Sequence, residues 1–392
     1  MTWRVVDLFS GGGGMSYGFH AHPAFEVVAA ADAQVGKPSS PRGSLACNDT
    51  YELNIGVRPA EVDLSAIEPD ALVSALGVTG PVDVLAACPP CTGFTRTNAR
   101  NHLVDDARNS LVSRVARFAA ALQPRVIVME NARELLTGNF GHHVALLRRD
   151  LEALGYTLHG ECHLLSRFGL PQLRERAVLV AARGPVPTLD DLWDGHALDP
   201  AATTVRRAIG ALPPVAAGEV DPHDPAHTAP QFGSELTRAR IAAIPHDGGS
   251  WRDLLGTPHL TPAMRDLVRR KKLGSHPDVY GRARWDAPMA TVKRECGHVG
   301  NGRYAHPEQD RLLTLREMAI INGFPYDYRF GGRSLVNRYR HVGDAVPPLI
   351  SYQLAWLASW LLSGERPAVE SLLLPGTHLR AADIVPAAPA AA

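Results

Sequence analysis

The stretch Ala87-Cys88-Pro89-Pro90-Cys91-Thr92-Gly93-Phe94-Thr95 carries a thiol just past an apolar run, Val82 to Ala87, that reads as a buried strand. Two prolines fix φ and stiffen the turn. Cys91 is thereby presented on a rigid loop at the carboxyl end of a strand, where open α/β sheets bind ligands. A cysteine held in this way can attack a substrate as a nucleophile. The same residues allow two other readings: a thiol buried after a strand, or a Cys-x-x-Cys pair, Cys88 with Cys91, for metal or redox work. No second such pair exists, and Cys47, Cys162 and Cys296 are scattered, so no metal is expected. Glu130 closes another apolar run, Arg125 to Met129. A carboxylate there, beside the thiol's strand, suits acid–base work, although turn and helix-cap acids look the same in sequence. Arg174 and Arg176 precede the apolar strand Ala177 to Ala182. Residues two apart on a strand share a face, which suits this pair to an anionic or carbonyl-rich ligand.

A second group lies near the start of the chain. Arg4 to Phe9 reads as a short buried parallel strand and runs into Ser10-Gly11-Gly12-Gly13-Gly14, then a helix-compatible segment from Met15. Glycines let the backbone approach a ligand closely, and a helix start offers free N–H groups. The dinucleotide pattern G-x-G-x-x-G fails, because its last position falls on Ser16 or Tyr17. A second strand, Phe25 to Ala31, ends at Asp32, where an acid would take ribose hydroxyls. Val62 to Leu64 reads as a short strand end and brings a second acid, Asp63. Glycine turn and acid together imply an adenosine-type cofactor without the pyrophosphate signature.

The elements that must position these groups alternate strand and helix. Helices are expected over Asn48 to Asn54, Asp105 to Leu122 and Leu135 to Leu154, with a strand from Tyr156 to Leu165. The fold expected is an α/β, Rossmann-like sheet with helices on both faces and a smaller irregular domain. From Gly184 to about Pro262 the texture turns to frequent Pro, Gly, His and Asp, which marks a loop-rich module. Order returns at the helices Arg311 to Ile321 and Leu349 to Leu362. The expected division is 1–184 for the catalytic and cofactor-binding domain, 185–305 for target recognition, 306–376 for the return to the catalytic domain, and 377–392 for a disordered, low-complexity tail.

With 392 residues, 45% apolar and 20% charged, the chain can bury a large core. Five irregularly spaced cysteines fit a reducing compartment. No signal peptide and no unbroken apolar run of about 18 residues is visible, so a cytoplasmic, membrane-free, monomeric protein is expected. Net charge is zero, yet Glu235 to Ala305 holds 13 Arg or Lys against 7 Asp or Glu, a local balance of +6. A basic segment on a neutral body fits a nucleic-acid surface, and equally a solvated basic face.

From Asp7 to about Leu362 the chain resembles the C5-cytosine methyltransferases. Asp7-Leu8-Phe9-Ser10-Gly11 with Gly13-Gly14 is similar to their first motif, Ala87 to Thr95 to the nucleophile motif, and Glu130-Asn131-Ala132 to the acid motif. Gln172 to Arg176 is similar to Q-x-R-x-R, and Arg311-Leu312-Leu313-Thr314 through Pro325 and Gly343 to Pro347 are similar to the last two motifs. The resemblance implies S-adenosylmethionine as methyl donor, double-stranded DNA as partner, and a base flipped out of the duplex. It implies Cys91 as nucleophile at cytosine C6, Glu130 as proton donor at N3, Arg176 at O2, and Arg174 at the nearby backbone. Its cofactor contacts fall on Phe9 (stacking), Gly11, Gly13, Asp32 (ribose), Asp63 (adenine amino group) and Pro90, with Asp344 near the cofactor end.

Three positions depart from the family pattern. Cys88 stands where glycine is usual, Thr92 where glutamine is usual, and Asp344 where asparagine is usual. Thr92 removes a longer amide from the place where the flipped base or its gap is managed, and Asp344 adds charge near the cofactor. None removes a chemical role. A restriction or defence setting, with a cognate nuclease as possible partner, goes with the DNA reading. The alternative substrate is tRNA, because Phe94-Thr95-Arg96 is similar to the nucleophile loop of the tRNA-acting members. A catalytically silent DNA-binding relative is a third reading, disfavoured by the presence of Cys91, Glu130, Arg174 and Arg176 together.

Overall fold

The computed structural model describes residues 2–35, 44–90 and 105–387. Cys91, Thr92 and the Phe94-Thr95-Arg96 stretch lie outside the described residues. The strands β1 (Trp3–Leu8), β2 (Phe25–Ala31), β3 (Val84–Ala87), β4 (Val126–Ala132), β5 (Thr157–Leu164) and β7 (Glu175–Ala182) form one sheet. Its order is β2-β1-β3-β4-β7-β5. The first four run parallel, whereas β7 is antiparallel to both β4 and β5. Val5, Val6, Leu8, Val84 and Leu85 are fully buried; strands covered on both faces read as continuous apolar runs. The chain moves from β1 to β2 on one side and to β3 on the other, which makes the carboxyl ends of β1 and β3 a topological switch point, where such sheets bind ligands.

Helices cover both faces. On one, α4 (Leu111–Leu122) turns Val112, Val115, Phe118 and Ala119 onto Leu85 and Ile127. On the other, α1 (Gly14–Ala21) packs on α13 (Pro348–Ser363), close enough that a Cβ on Gly18 would lie 2.2 Å from the Ser351 main chain. Between them in sequence lie α2 (Cys47–Ile55) and α3 (Pro69–Leu76). The long helix expected over 135–154 is two pieces, α5 (Glu134–Thr137) and α6 (His142–Ala153). Gly138 and Gly141 flank the break, and a Cβ on Gly138 would strike the Glu134 carbonyl at 2.4 Å. Val62 to Leu64 is not a strand; only the bridge Ala31↔Ala60 reaches the sheet, because the Asp63 carboxylate accepts Ser65 N–H and turns the chain away.

Hydrophobic packing groups the later elements with the earlier ones. Beyond residue 184 the chain still belongs to the first core: α7 (Leu189–Leu192) and Trp193 pack there, with Trp193 Nε1 donating to Gln353 Oε1 at 2.9 Å. A second core begins at Val205 and takes in Trp251, Trp285, Leu312 to Leu315, Met318 to Ile321 and Tyr339 to Ala345. The loop-rich module is organised by Arg282, which is fully buried and donates to the carbonyls of Ile241, Ile244, His306 and Gln309. The tail does not become irregular at 377. β10 (Ile384–Pro386) pairs antiparallel with β8 (His196–Leu198), and both Asp383 oxygens lie 3.1 Å from Arg207 Nη2. α12 (Leu335–Asp344) and α13 together make a stretch, Leu335–Ser363, long and apolar enough by composition alone to cross a membrane, although charged residues interrupt it. Its most apolar window is 72% buried inside the fold, so here it is a core element.

Candidate active site

Glu130 lies near the carboxyl end of β4, and antiparallel pairing puts Val178 opposite it and Arg176 opposite Ala132. The two candidate side chains are therefore diagonal neighbours across adjacent strands. Arg176 Nε lies 2.9 Å from Glu130 Oε1, with 15% and 9% of the side chains exposed. The pair is in ionic contact, but the N–H is not aligned on the oxygen. Asn131 binds this strand end to the proline turn: its Nδ2 donates to the Pro89 carbonyl at 2.9 Å. On the other side, Cys88 N–H donates to the Leu8 carbonyl at 3.2 Å. The turn that leads to Cys91 is thus clamped between β1 and β4. Pro90, the last described residue before it, is exposed.

Arg174 and Arg176 meet different partners. Arg174 falls in the break between β6 (Gln172–Leu173) and β7, and only 2% of it is exposed. Its guanidinium donates to the carbonyls of Val292 (2.9 Å) and Ala345 (3.1 Å). Gln172, fully buried, donates to Ile321 O and Asn322 Oδ1 and accepts Val292 N–H. These two residues lock the returning chain, including the stretch beside Asp344, onto the sheet. The strand pattern treats the two arginines alike because it cannot show that β6 pairs with β9 (Met289–Ala290) while β7 pairs with β4 and β5.

The cofactor candidates gather at the carboxyl ends of β1 and β2. Asp32 accepts Gly11 N–H at 2.9 Å and Gln34 N–H at 2.6 Å. Gly11 has φ +52 and open space where a Cβ would lie, while at Gly13, φ +93, a Cβ would meet Tyr328 Oη at 3.0 Å. Phe9 is also in a left-handed conformation, φ 61, which turns the chain out of β1. Asp63 is exposed; its carboxyl is held below the usual range by the Ser65 hydroxyl and N–H. The Ala31↔Ala60 bridge brings its segment to the same edge as Asp32. Asp344 meets Arg294 in an ion pair. Close packing around its carboxyl raises its pKa to about 6 against the pull of Arg294, while the solvent that reaches 37% of the side chain limits that rise. Its neighbour Ala345 touches the start of α1, for a Cβ on Gly14 would stand 2.9 Å from Ala345 Cβ and 2.2 Å from the Val346 carbonyl.

Behind the glycine turn lies a buried polar chain that motif reading passed over. Asp7 Oδ2 accepts the Ser16 hydroxyl at 2.6 Å, Ser16 Oγ lies 2.5 Å from Tyr51 Oη, and Tyr328 Oη donates to the Gly12 carbonyl. Burial lifts the Asp7 pKa to about 7; the Ser16 bond opposes this and the charge of Asp32 adds to it. No sequence periodicity links Tyr51 or Tyr328 to the turn.

A sequence model of the C-5 cytosine-specific DNA methylase family matches residues 3–356. The chain belongs to this family of DNA (cytosine-5) methyltransferases. Among curated proteins, the Type II methylase M.HgiDII of Herpetosiphon aurantiacus is 30% identical over 95% of this chain and 100% of its own length. The Type II methyltransferase M1.HphI of Haemophilus parahaemolyticus is 30% identical over 91% and 86%. In fold, the chain is similar to a DNA modification methyltransferase encoded within an E. coli prophage, with a TM-score of 0.62 and 18% identity over 93% of this chain and 100% of that one. It is also similar in fold to the Dnmt2 methyltransferase of S. pombe, with a TM-score of 0.54 and 18% identity over 92% and 99%. The family's sheet with helices on both faces is the one expected from sequence.

Proposed function

We propose that this methyltransferase moves a methyl group from S-adenosylmethionine to C5 of cytosine within a specific sequence of duplex DNA, through a covalent bond from Cys91. The observation that carries the reading is the Glu130–Arg176 pair, 2.9 Å apart and tied by Asn131 to the turn that leads to Cys91. An acid and a guanidinium this close match neighbouring atoms, N3 and O2, on the edge of one pyrimidine.

Cytosine C5 is too weak a nucleophile to take a methyl group unaided. Addition of the Cys91 thiolate at C6 breaks the C5–C6 π bond and makes C5 enamine-like, while Glu130 gives a proton to N3 and Arg176 stabilises O2. Once C5 is alkylated, loss of its proton expels the thiol and restores the ring. S-adenosylmethionine supplies the methyl group when bound. The turn at Gly11, with open space at its Cα, and the Asp32 carboxylate beside it suit an adenosine-bearing ligand, with Phe9, Gly13, Asp63 and Pro90 at the same edge. Arg174 serves as a positioning residue. The two named Type II relatives support a restriction-modification setting, in which a cognate nuclease would share the target sequence. The basic 235–305 stretch would face the duplex, chiefly its phosphates.

The test is transfer of labelled methyl to duplex DNA and to tRNA, by the natural chain and by Cys91→Ala. Label in DNA that is lost in Cys91→Ala supports the reading. Label in tRNA alone would shift the substrate class, and near-normal turnover by Cys91→Ala would move the nucleophile elsewhere.

A further inference from the structure

Three side chains with metal-binding atoms converge where α6 meets the lead-in to α4. His142 Nε2 and His143 Nε2 lie 3.1 and 3.0 Å from the same oxygen, Asp105 Oδ2, and the two rings are 4.0 Å apart. All three donor atoms lie within 4.8 Å of one another. Two atoms bound to one tetrahedral zinc at about 2.0–2.1 Å are separated by about 3.3 Å, so the observed spacing needs only a small expansion to admit an ion. Asn109 Nδ2 donates to the other carboxylate oxygen, Oδ1, at 2.7 Å. That outer contact orients the acid, as partners behind a metal ligand do; His143 Nε2 lies 3.1 Å from Oδ1 as well, so its ring faces both carboxylate oxygens.

His143 is buried and fixes one ligand, while His142 is 55% exposed and leaves the site open to solvent. Two imidazoles and one carboxylate suit borderline transition metals rather than magnesium or calcium, which prefer all-oxygen shells.

We propose that Asp105, His142 and His143 form a binding site for a zinc-class divalent ion that staples the start of α6 to the segment entering α4. Binding moves each Nε2 proton to Nδ1 or to solvent and changes no oxidation state. The ion takes no part in the proposed methyl transfer, and cysteine spacing gave no hint of the site because its ligands are two adjacent histidines and an aspartate far away in sequence.

The test uses the full chain stripped with a chelator. Zinc affinity is measured by competition with a chromophoric chelator, and thermal stability is followed with zinc or magnesium, for the natural chain and for His142→Ala, Asp105→Asn and Glu161→Gln. The expected result is one zinc per chain, a rise in Tm with zinc but not with magnesium, and about ten-fold or greater loss of affinity in His142→Ala and Asp105→Asn. His142 is exposed, so its variant should fold normally. Affinity that stays unchanged in both variants, or falls instead in Glu161→Gln, would overturn the proposal, since Glu161, His163 and Asp190 form the other cluster of donors among the described residues.

Discussion

Replacing Arg174 by methionine separates a positioning role from a catalytic one. The substitution keeps much of the side-chain volume but removes the donors to Val292 O and Ala345 O, in a place where 2% of the residue is exposed. Hydrogen bonds from a charged group contribute about 1.5–3 kcal/mol each, and the orphaned carbonyls stay buried, so the expected loss is roughly 3–5 kcal/mol. At about 2.1 cal/mol/K per residue, a chain of 392 residues that melts as one unit should lose about 4–6 °C in Tm. Calorimetry measures that loss, and steady-state methylation measured well below the new Tm gives kcat and KM. A positioning role predicts lower Tm, weaker cofactor binding through the displaced Asp344–Ala345 segment, and partial recovery in Arg174→Lys. An unchanged Tm with kcat abolished, and no recovery by lysine, would refute the reasoning and return Arg174 to the reacting groups.

Gly14→Ala places a Cβ 2.2 Å from a main-chain oxygen, at Val346. It should cost at least about 1–3 kcal/mol by overpacking and weaken cofactor binding, as equilibrium binding and Tm would record. Asp7 has its pKa raised to about 7 from 3.8, so the folded chain keeps a proton that the unfolded chain loses between those values. Stability from this group is therefore full below about pH 4 and is lost as pH rises through 7, by an amount on the order of 4 kcal/mol. Asp7→Asn should flatten the Tm profile between pH 5 and 8, and an unchanged slope would count against the assignment. Lys271 and Lys272 have no ion pair among the described residues, whereas Arg269 and Arg270 both pair with Asp266. Changing the two lysines to glutamine should reduce the salt slope of DNA binding by about 2, read from binding titrations at several salt concentrations, and leave the methylated sequence unchanged.

Much of the site could be read in one dimension because its parts are short and local. The run Arg4 to Phe9 with the glycines after it, the acid at Asp32, and Glu130 closing an apolar strand each declare themselves within a few residues, since strand, turn and ligand-facing end are set by near neighbours. The sheet with helices on both faces followed from the same alternation. What sequence could not settle was everything fixed by partners far along the chain. Arg174 and Arg176 look equivalent in a strand pattern, yet one is held by Val292 and Ala345 and the other faces Glu130, because strand pairing switches between them. The tail from 377 reads as unstructured by composition, but Asp383 meets Arg207 and β10 meets β8. Asn131 on Pro89, Tyr328 on Gly12, and Asp105 beneath two histidines join residues 42, 316 and up to 38 positions apart. Periodicity and propensity report on near neighbours, whereas these contacts exist only once burial has made each polar group find a partner, wherever in the chain that partner lies.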